Sequence, residues 1–283
     1  MLGGVKGCPL RLGREKGVEH MHRRIAALLA TMALAMLLAT GMASAITYGQ
    51  PDGNIHPNVG ALVVADEQGE FLFCSGTLIA PDVFLTAAHC TAAIEQFGLE
   101  FRGVTFDSVF DPDTSVVYPG TPYTHPDFPG PSSDAKDIAV VVLNDEVTGI
   151  QPALLPSLGL LDQLANDGAL KGQSFTAVGY GVTERTHEPG SGAPVFGEGG
   201  TRMYSVSTFS ALNKGYLRLS QNPSTGDGGT CYGDSGGPNF LGDSQVIASI
   251  TITGDIPCRS RNVTYRLDTL SARAFLGEFV TLP

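Results

Sequence analysis

Short runs of apolar and β-branched residues recur along the chain with Gly- and Pro-rich turns between them. Such runs fall at 59–65, 71–78, 83–87, 138–143, 174–178, 215–220, 246–253 and 263–267. Each is short enough for a strand and too short for a stable isolated helix. Two stretches, 118–131 and 188–200, are rich in Pro and Gly and predict long loops. The last segment changes period. Asp268 is placed to cap a helix from about Thr269, with Leu270, Ala274 and Phe275 on one side and Glu278 and Phe279 near its end. Many strands and one closing helix predict an all-β barrel or sandwich. No internal repeat and no low-complexity linker interrupts it.

One segment breaks the pattern earlier. Met21-His22-Arg23-Arg24 is basic, 25–39 is almost unbroken Ala, Leu, Ile and Met, and Ala43-Ser44-Ala45 follows. These are the three parts of a secretory signal, with cleavage expected after Ala45. Residues 1–45 are therefore read as a leader and 46–283 as the mature protein. The apolar run is shorter than the roughly 20 residues a membrane-spanning helix needs, which argues against a retained anchor. Met21 is an alternative translation start.

Composition narrows the class. Hydrophobic residues make up 42% and charged residues 16%, enough to build a core. The first 45 residues hold six of the 17 basic and two of the 28 acidic side chains, so the rest carries 11 against 26. No basic footprint for nucleic acid is left. Of the five cysteines, Cys8 lies in the leader, and Cys74, Cys90, Cys231 and Cys258 remain as an even set. That suits two disulfides in an oxidising compartment, and no C-x-x-C pair suggests zinc or redox chemistry.

Three motifs carry candidate chemistry. Gly233-Asp234-Ser235-Gly236-Gly237-Pro238 surrounds a serine with small residues, which leaves its hydroxyl open to a substrate backbone. Thr86-Ala87-Ala88-His89-Cys90 sets a histidine among small residues. Asp137 opens the apolar run Ile138-Ala139-Val140-Val141-Val142-Leu143. Taken singly, the histidine could be a packed core residue and the aspartate a turn residue. Together, in the order His, Asp, Ser, they resemble the trypsin/chymotrypsin family of serine proteases.

The resemblance covers residues 46–283 and implies two packed six-stranded antiparallel β-barrels with a C-terminal α-helix. It implies a secreted, bacterial-type endopeptidase, because the disulfides common elsewhere in the family are absent. Ser235 would be the nucleophile, His89 the general base and Asp137 the group that orients the histidine. The backbone amides of Gly233 and Ser235 would form the oxyanion hole. Cys74 would pair with Cys90, and Cys231 with Cys258. A free Ile46 ammonium would pair with Asp234 to activate the enzyme. Since Ile46 directly follows the expected signal cleavage site, signal removal would itself be the activating cut.

In the primary specificity pocket the resemblance places Gly229 at the base, beside Thr230, with Asn262 on the wall. It places Ser249 at the start of the substrate-pairing strand, supporting Asp137, although Ser249-Ile250-Thr251 departs there from the usual Ser-Trp-Gly. Gly229 brings no charge, so cleavage after neutral side chains is expected rather than after Arg or Lys. The expected partners are protein or peptide substrates and protein inhibitors of proteases. No cofactor, metal or nucleic acid is expected, no membrane once the signal is cut, and a monomer. His56, His125 and His187 are read as loop histidines. Asp111, Asp113 and Asp127 lack the spacing of an EF-hand calcium loop. Asn262-Val263-Thr264 is a glycosylation sequon. A catalytically silent binding module and a membrane-anchored form are the competing readings.

Overall fold

The computed structural model describes residues 3–4, 46–183, 185–186 and 195–283. Apart from Gly3 and Gly4 the leader lies outside them, as does His187. The unit spanning Ala43–Pro283 contains every element named below. In chain order these are β1 (Gln50–Pro51), β2 (Val59–Asp66), β3 (Gly69–Ala80), β4 (Val83–Thr86), α1 (Ala88–Phe97), β5 (Glu100–Thr105), β6 (Val117–Tyr118), β7 (Gly120–Thr124) and β8 (Ala139–Leu143). Then come α2 (Leu160–Asn166), β9 (Ser174–Gly179), β10 (Arg185–Thr186), β11 (Val195–Phe196), β12 (Met203–Leu212) and β13 (Tyr216–Ser220). The chain closes with β14 (Pro238–Leu241), β15 (Ile247–Gly254), β16 (Arg261–Arg266) and α3 (Leu270–Leu276).

Apart from the separate β10–β11 pair, the strands form two barrel-like sheets. The first runs β6-β5-β2-β3-β4-β8-β7. Its two end strands are one run bent at Pro119, which pairs with β5 through β6 and with β8 through β7. Counted as one strand, 117–124 closes a ring of six. In the second sheet β12, β13, β16, β15, β14 and β9 also close on themselves, since β9 pairs with both β14 and β12. The two-residue β1 adds to the outside of β12. Closure removes free edges, the usual hazard of short strands. The expected all-β architecture of two six-stranded barrels and a terminal helix is the one found.

All eight sequence-read strands lie on observed ones. Strands β1, β5, β6, β7, β10, β11, β12 and β14 and helices α1 and α2 add to the reading, with β7 and β11 inside the two stretches expected to be loops. The C-terminal cap also differs. Thr269, not Asp268, accepts the amide of Ala272 at 3.2 Å. Asp268 is buried instead, bonded to the amide of Leu161 at 2.8 Å and to Arg266 at 2.9 Å.

A second buried arginine ties the barrels to the segment that enters them. Arg202 is fully buried and meets Asp52 at 2.8 Å. Its remaining N–H groups reach the carbonyls of Val59, Phe106 and Gly53, the Tyr180 hydroxyl and Asn54 Oδ1, at 2.8–3.2 Å. These partners come from both barrels. Asp52 also pairs with His56 Nδ1 at 2.5 Å, so His56 is a loop histidine as expected, but a buried one, stacked on Phe240. His125 is likewise buried and stacks on Phe275 of α3.

Losing one member of a buried, hydrogen-bonded pair typically costs about 3–5 kcal/mol. Arg202→Met is expected to lower unfolding stability by about that amount, measured by urea denaturation with the disulfides intact.

Candidate active site

The histidine motif lies where β4 turns into α1. Small residues are needed there because the turn is packed on all sides: Ala87 and Ala88 are fully buried. Ala87 has no side chain to cap the helix. Asp137, at the start of the run leading into β8, supplies that function from a distance. Its Oδ1 accepts the amide of His89 at 2.9 Å, and its Oδ2 lies 2.8 Å from His89 Nδ1. The aspartate is buried and the imidazole one-third exposed. One carboxylate thus satisfies a helix-terminal amide and fixes the ring with Nδ1–H as donor. The disulfide Cys74–Cys90 bolts the first turn of α1 to β3 beside the ring.

Ser235 comes from the other barrel, on the loop entering β14. Gly233 and Gly236 hold φ of +98° and +79°, which a side chain would strain. A Cβ on Gly236 would fall 2.2 Å from Thr86 Oγ1, so the two motifs pack directly on each other. Thr86 Oγ1 in turn donates to the carbonyl of Ser75 at 2.9 Å.

Ser75 is the residue the sequence reading missed. It lies fully buried on β3, next to Cys74. Its amide donates to the carbonyl of Ser235 at 2.9 Å. Its hydroxyl donates to the carbonyl of Gly233 at 2.9 Å and accepts the amide of Tyr180 at 3.0 Å. The first barrel therefore grips the serine loop of the second at both ends of Gly233-Asp234-Ser235. Only its place beside Cys74 could have hinted at this. Among the described residues no hydrogen bond joins His89 Nε2 to Ser235 Oγ, and Nε2 lies 3.6 Å from Cys90 Sγ.

Asp234 points away from Ser235 into the protein. Its oxygens accept the amides of Gly181 and Cys231, each at 2.8 Å. Gly179 and Gly181 wall it closely, and a Cβ at Gly179 would fall 2.2 Å from Oδ1. Burial pushes its carboxyl up to about 7, and the two amides offset only part of that. No cation pairs with it among the described residues. Ile46, whose nitrogen is here a peptide amide, is fully buried against Met203. The next residue, Thr47, exchanges backbone hydrogen bonds with Gly229 at 3.0 Å, five residues before Asp234.

A cavity of about 250 Å³ adjoins Ser235. Thr230, Tyr232, Ile252, Gly254, Asp255 and the Cys231–Cys258 disulfide line it. Three expected pocket residues are elsewhere. Gly229 faces Gln221, whose buried side chain occupies the space a Cβ would need, and Gln221 Oε1 accepts the Thr230 amide at 2.9 Å. Ser249 is buried with its hydroxyl bonded to Thr264 Oγ1 at 2.7 Å, and it does not support Asp137. Asn262 is buried, donating to Asn239 at 3.1 Å and to Thr251 at 3.3 Å. It does not line this cavity, and the folded sequon offers no free amide. The wall is Ile252-Thr253-Gly254, three residues beyond the stretch assigned from sequence.

The fold and the sequence have known counterparts. Residues 51–271 match the trypsin family. The chain belongs to the trypsin family of serine proteases. It is 32% identical over 220 residues to Melanization protease 1 of Drosophila melanogaster, covering 65% of this chain and 52% of that protein. It therefore spans about half the length of that relative. It is 28% identical over 235 residues to the venom plasminogen activator LV-PA of Lachesis muta muta, covering 81% of this chain and 85% of that protein. HL collagenase is similar in structure, with a TM-score of 0.59 at 17% identity over 82% of this chain and 97% of its own. Neuropsin, from mouse brain, has a TM-score of 0.56 at 18% identity over 82% and 99%. These insect and snake relatives give the expected bacterial type no support. Among the described residues no helix is long and apolar enough to cross a membrane.

The raised Asp234 carboxyl has a consequence for the uncut chain. Its folded value lies above its unfolded value of about 3.8, so its contribution is fully present below pH 4 and is lost as pH rises through about 7. At about 1.4 kcal/mol per pH unit the loss is roughly 4 kcal/mol. Urea unfolding of the uncut chain is expected to show a fall in stability between pH 4 and 8 that is smaller by that amount in Asp234→Asn.

Proposed function

We propose that this chain is a secreted serine endopeptidase that cleaves proteins or peptides through His89, Asp137 and Ser235. The observation that carries the proposal is the Asp137–His89 pair at 2.8 Å on one barrel, facing a serine loop that the same barrel grips through Ser75. His89 Nε2 takes the proton of Ser235 Oγ as that oxygen attacks the scissile carbonyl, and then gives it to the leaving amine. Asp137 keeps Nδ1–H pointing at itself and stabilises the imidazolium. The amides of Gly233 and Ser235 receive the oxyanion; a donor of this kind typically contributes about 10²–10³ in rate. The Nε2–Oγ bond closes when substrate binds, since such contacts are often long in free enzymes.

Activation follows from Asp234. A buried carboxylate with two amides and no cation calls for a positive charge, and Ile46 is the nearest candidate in sequence logic. Cleavage after Ala45 would free its ammonium at the strand that already pairs with Gly229. We take residues 1–45 as the signal, 46–283 as the protease domain, and signal removal as the activating step. The enzyme then acts outside the cell as a monomer, open to protein inhibitors that mimic substrate. For specificity, the cavity has one charged lining residue, Asp255. Its carboxylate is already occupied by the amides of Arg259, Ser260 and Arg261 at 2.7–3.0 Å. Burial alone would raise it, and those amides outweigh burial and hold it below the usual range, so it stays charged with its oxygens spent on the backbone. We take the rest of the lining, which is uncharged, to set a preference for neutral side chains.

Secreted protein is expected to begin at Ile46 on N-terminal sequencing and to react with a fluorophosphonate probe, with the label lost in Ser235→Ala. Asp137→Asn should keep the fold and lose about 10⁴ in kcat. A start elsewhere removes the activation scheme, and an unlabelled Ile46-start protein supports a silent binding module. In peptide profiling, kcat/KM for Leu, Met or Phe before the cleaved bond should exceed that for Lys or Arg by about tenfold or more.

A further inference from the structure

Asp137 lacks the direct support that the family resemblance assigned to Ser249. Among the described residues its carboxylate is hydrogen-bonded to His89 alone. The residue before it, Lys136, holds a φ of +57°, a left-handed conformation that costs a non-glycine residue about 1–2 kcal/mol. Something outside the loop must hold that backbone in place.

The second barrel and α3 do so. Tyr216 and Tyr265 are cross-strand partners on β13 and β16. Both aim their hydroxyls at residues 132–135. Tyr216 Oη donates to the carbonyl of Ser132 at 3.1 Å and accepts the amide of Ala135 at 3.0 Å. Tyr265 Oη donates to Asp134 Oδ1 at 2.7 Å. Lys136 Nζ pairs with Asp134 Oδ2 at 2.8 Å and also donates to Ser271 Oγ on α3. Burial would raise the Asp134 carboxyl, and these bonds hold it below the usual range.

We infer that Tyr265, Tyr216, Lys136 and Ser271 are positioning residues, a clamp from the second barrel and the C-terminal helix that sets Asp137 against His89 by fixing the loop one residue before it. The inference rests on the proposed triad. It gives α3 a role in the active site although no α3 residue reaches the reacting atoms. A misplacement of about 1 Å at such a group can cost about 10²-fold in rate. A clamp acting only on Asp137 should change kcat and leave ground-state binding alone.

The test uses Tyr265→Phe, which keeps the buried ring, and Lys136→Met, at a partly exposed site. The secreted protein is assayed with a tetrapeptide p-nitroanilide bearing Leu before the scissile bond. Each variant is expected to lower kcat about tenfold, with KM unchanged within about twofold. The same substitutions, made in Ser235→Ala protein, should shift or broaden the low-field proton resonance of the His89 Nδ1–H···Asp137 bond. Tm is measured alongside, and if Tyr265→Phe fails to fold, Lys136→Met decides. Wild-type kcat and an unmoved resonance in folded variants would overturn the clamp. An inactive wild type would overturn the protease reading, and the resonance would still judge the clamp.

Discussion

The catalytic parts proposed for this protein are split between two barrels, and the hydroxyl of Ser75 is where the split is bridged. One buried oxygen serves both the Gly233 carbonyl and the Tyr180 amide, while the Ser75 amide holds the Ser235 carbonyl. Each bond contributes only about 1 kcal/mol net to stability, but leaving its partners unmet in the interior would cost more. The three bonds therefore act as a register device. They fix which residues of the serine loop face β3, and so where the amides of Gly233 and Ser235 point. Thr86 and Gly236 extend the same contact, since the threonine hydroxyl occupies the space that a side chain at Gly236 would need. Two motifs far apart in sequence are thus two faces of one packed seam.

Two buried carboxylates show how strongly surroundings decide charge. Burial is the largest effect on Asp52 too, yet His56 and Arg202 pull its carboxyl below the ordinary value. Asp234 has only two amides and rises to about 7. The difference is two side-chain donors, one of them a cation. Asp52 has one built in, and Asp234 does not. A site prepared with close glycine walls and two donors, and missing its countercharge, is a site whose state depends on when that charge is delivered. In the proposed scheme, delivery of that charge is the activation step. The scheme asks for no large rearrangement of the strands, because Thr47 is already paired with Gly229.

The legible part of this protein was the part written in local chemistry. The small residues around His89 and Ser235, the aspartate opening an apolar run and the four cysteines are all constrained by their immediate neighbours, so short motifs identify them. The Cys74–Cys90 and Cys231–Cys258 pairings follow the family resemblance. The pocket was not legible in this way. Its lining depends on the register of β15 against β16, which shifts between Thr251 and Thr253. A three-residue error there exchanges the buried Ser249 for the exposed wall. Gly229 and Asn262 fail for a related reason. Gly229 packs on buried Gln221 and Asn262 bonds to buried Asn239, and long-range packing of that kind leaves no local signal. Helix α1 was hidden because its start is capped by Asp137 from far away in sequence, not by its own Ala87.

The loop before Asp137 shows the same limit from the other side. In sequence, the loop 130–136 carries no motif. In the fold, its carbonyls and amides are taken up by tyrosines whose strands serve the second barrel, and its lysine by the last helix. A strained residue such as Lys136 persists only where surrounding contacts over-determine it. Here those contacts come from 81 to 135 residues away in sequence. In the proposed clamp the Asp137–His89 pair on the first barrel thus depends on two tyrosines of the second. Coupling of this kind explains how a fold can leave Asp137 with a single bonding partner and still hold it: the position of the carboxylate is set by its backbone, and the backbone by tethers that never touch the reacting atoms.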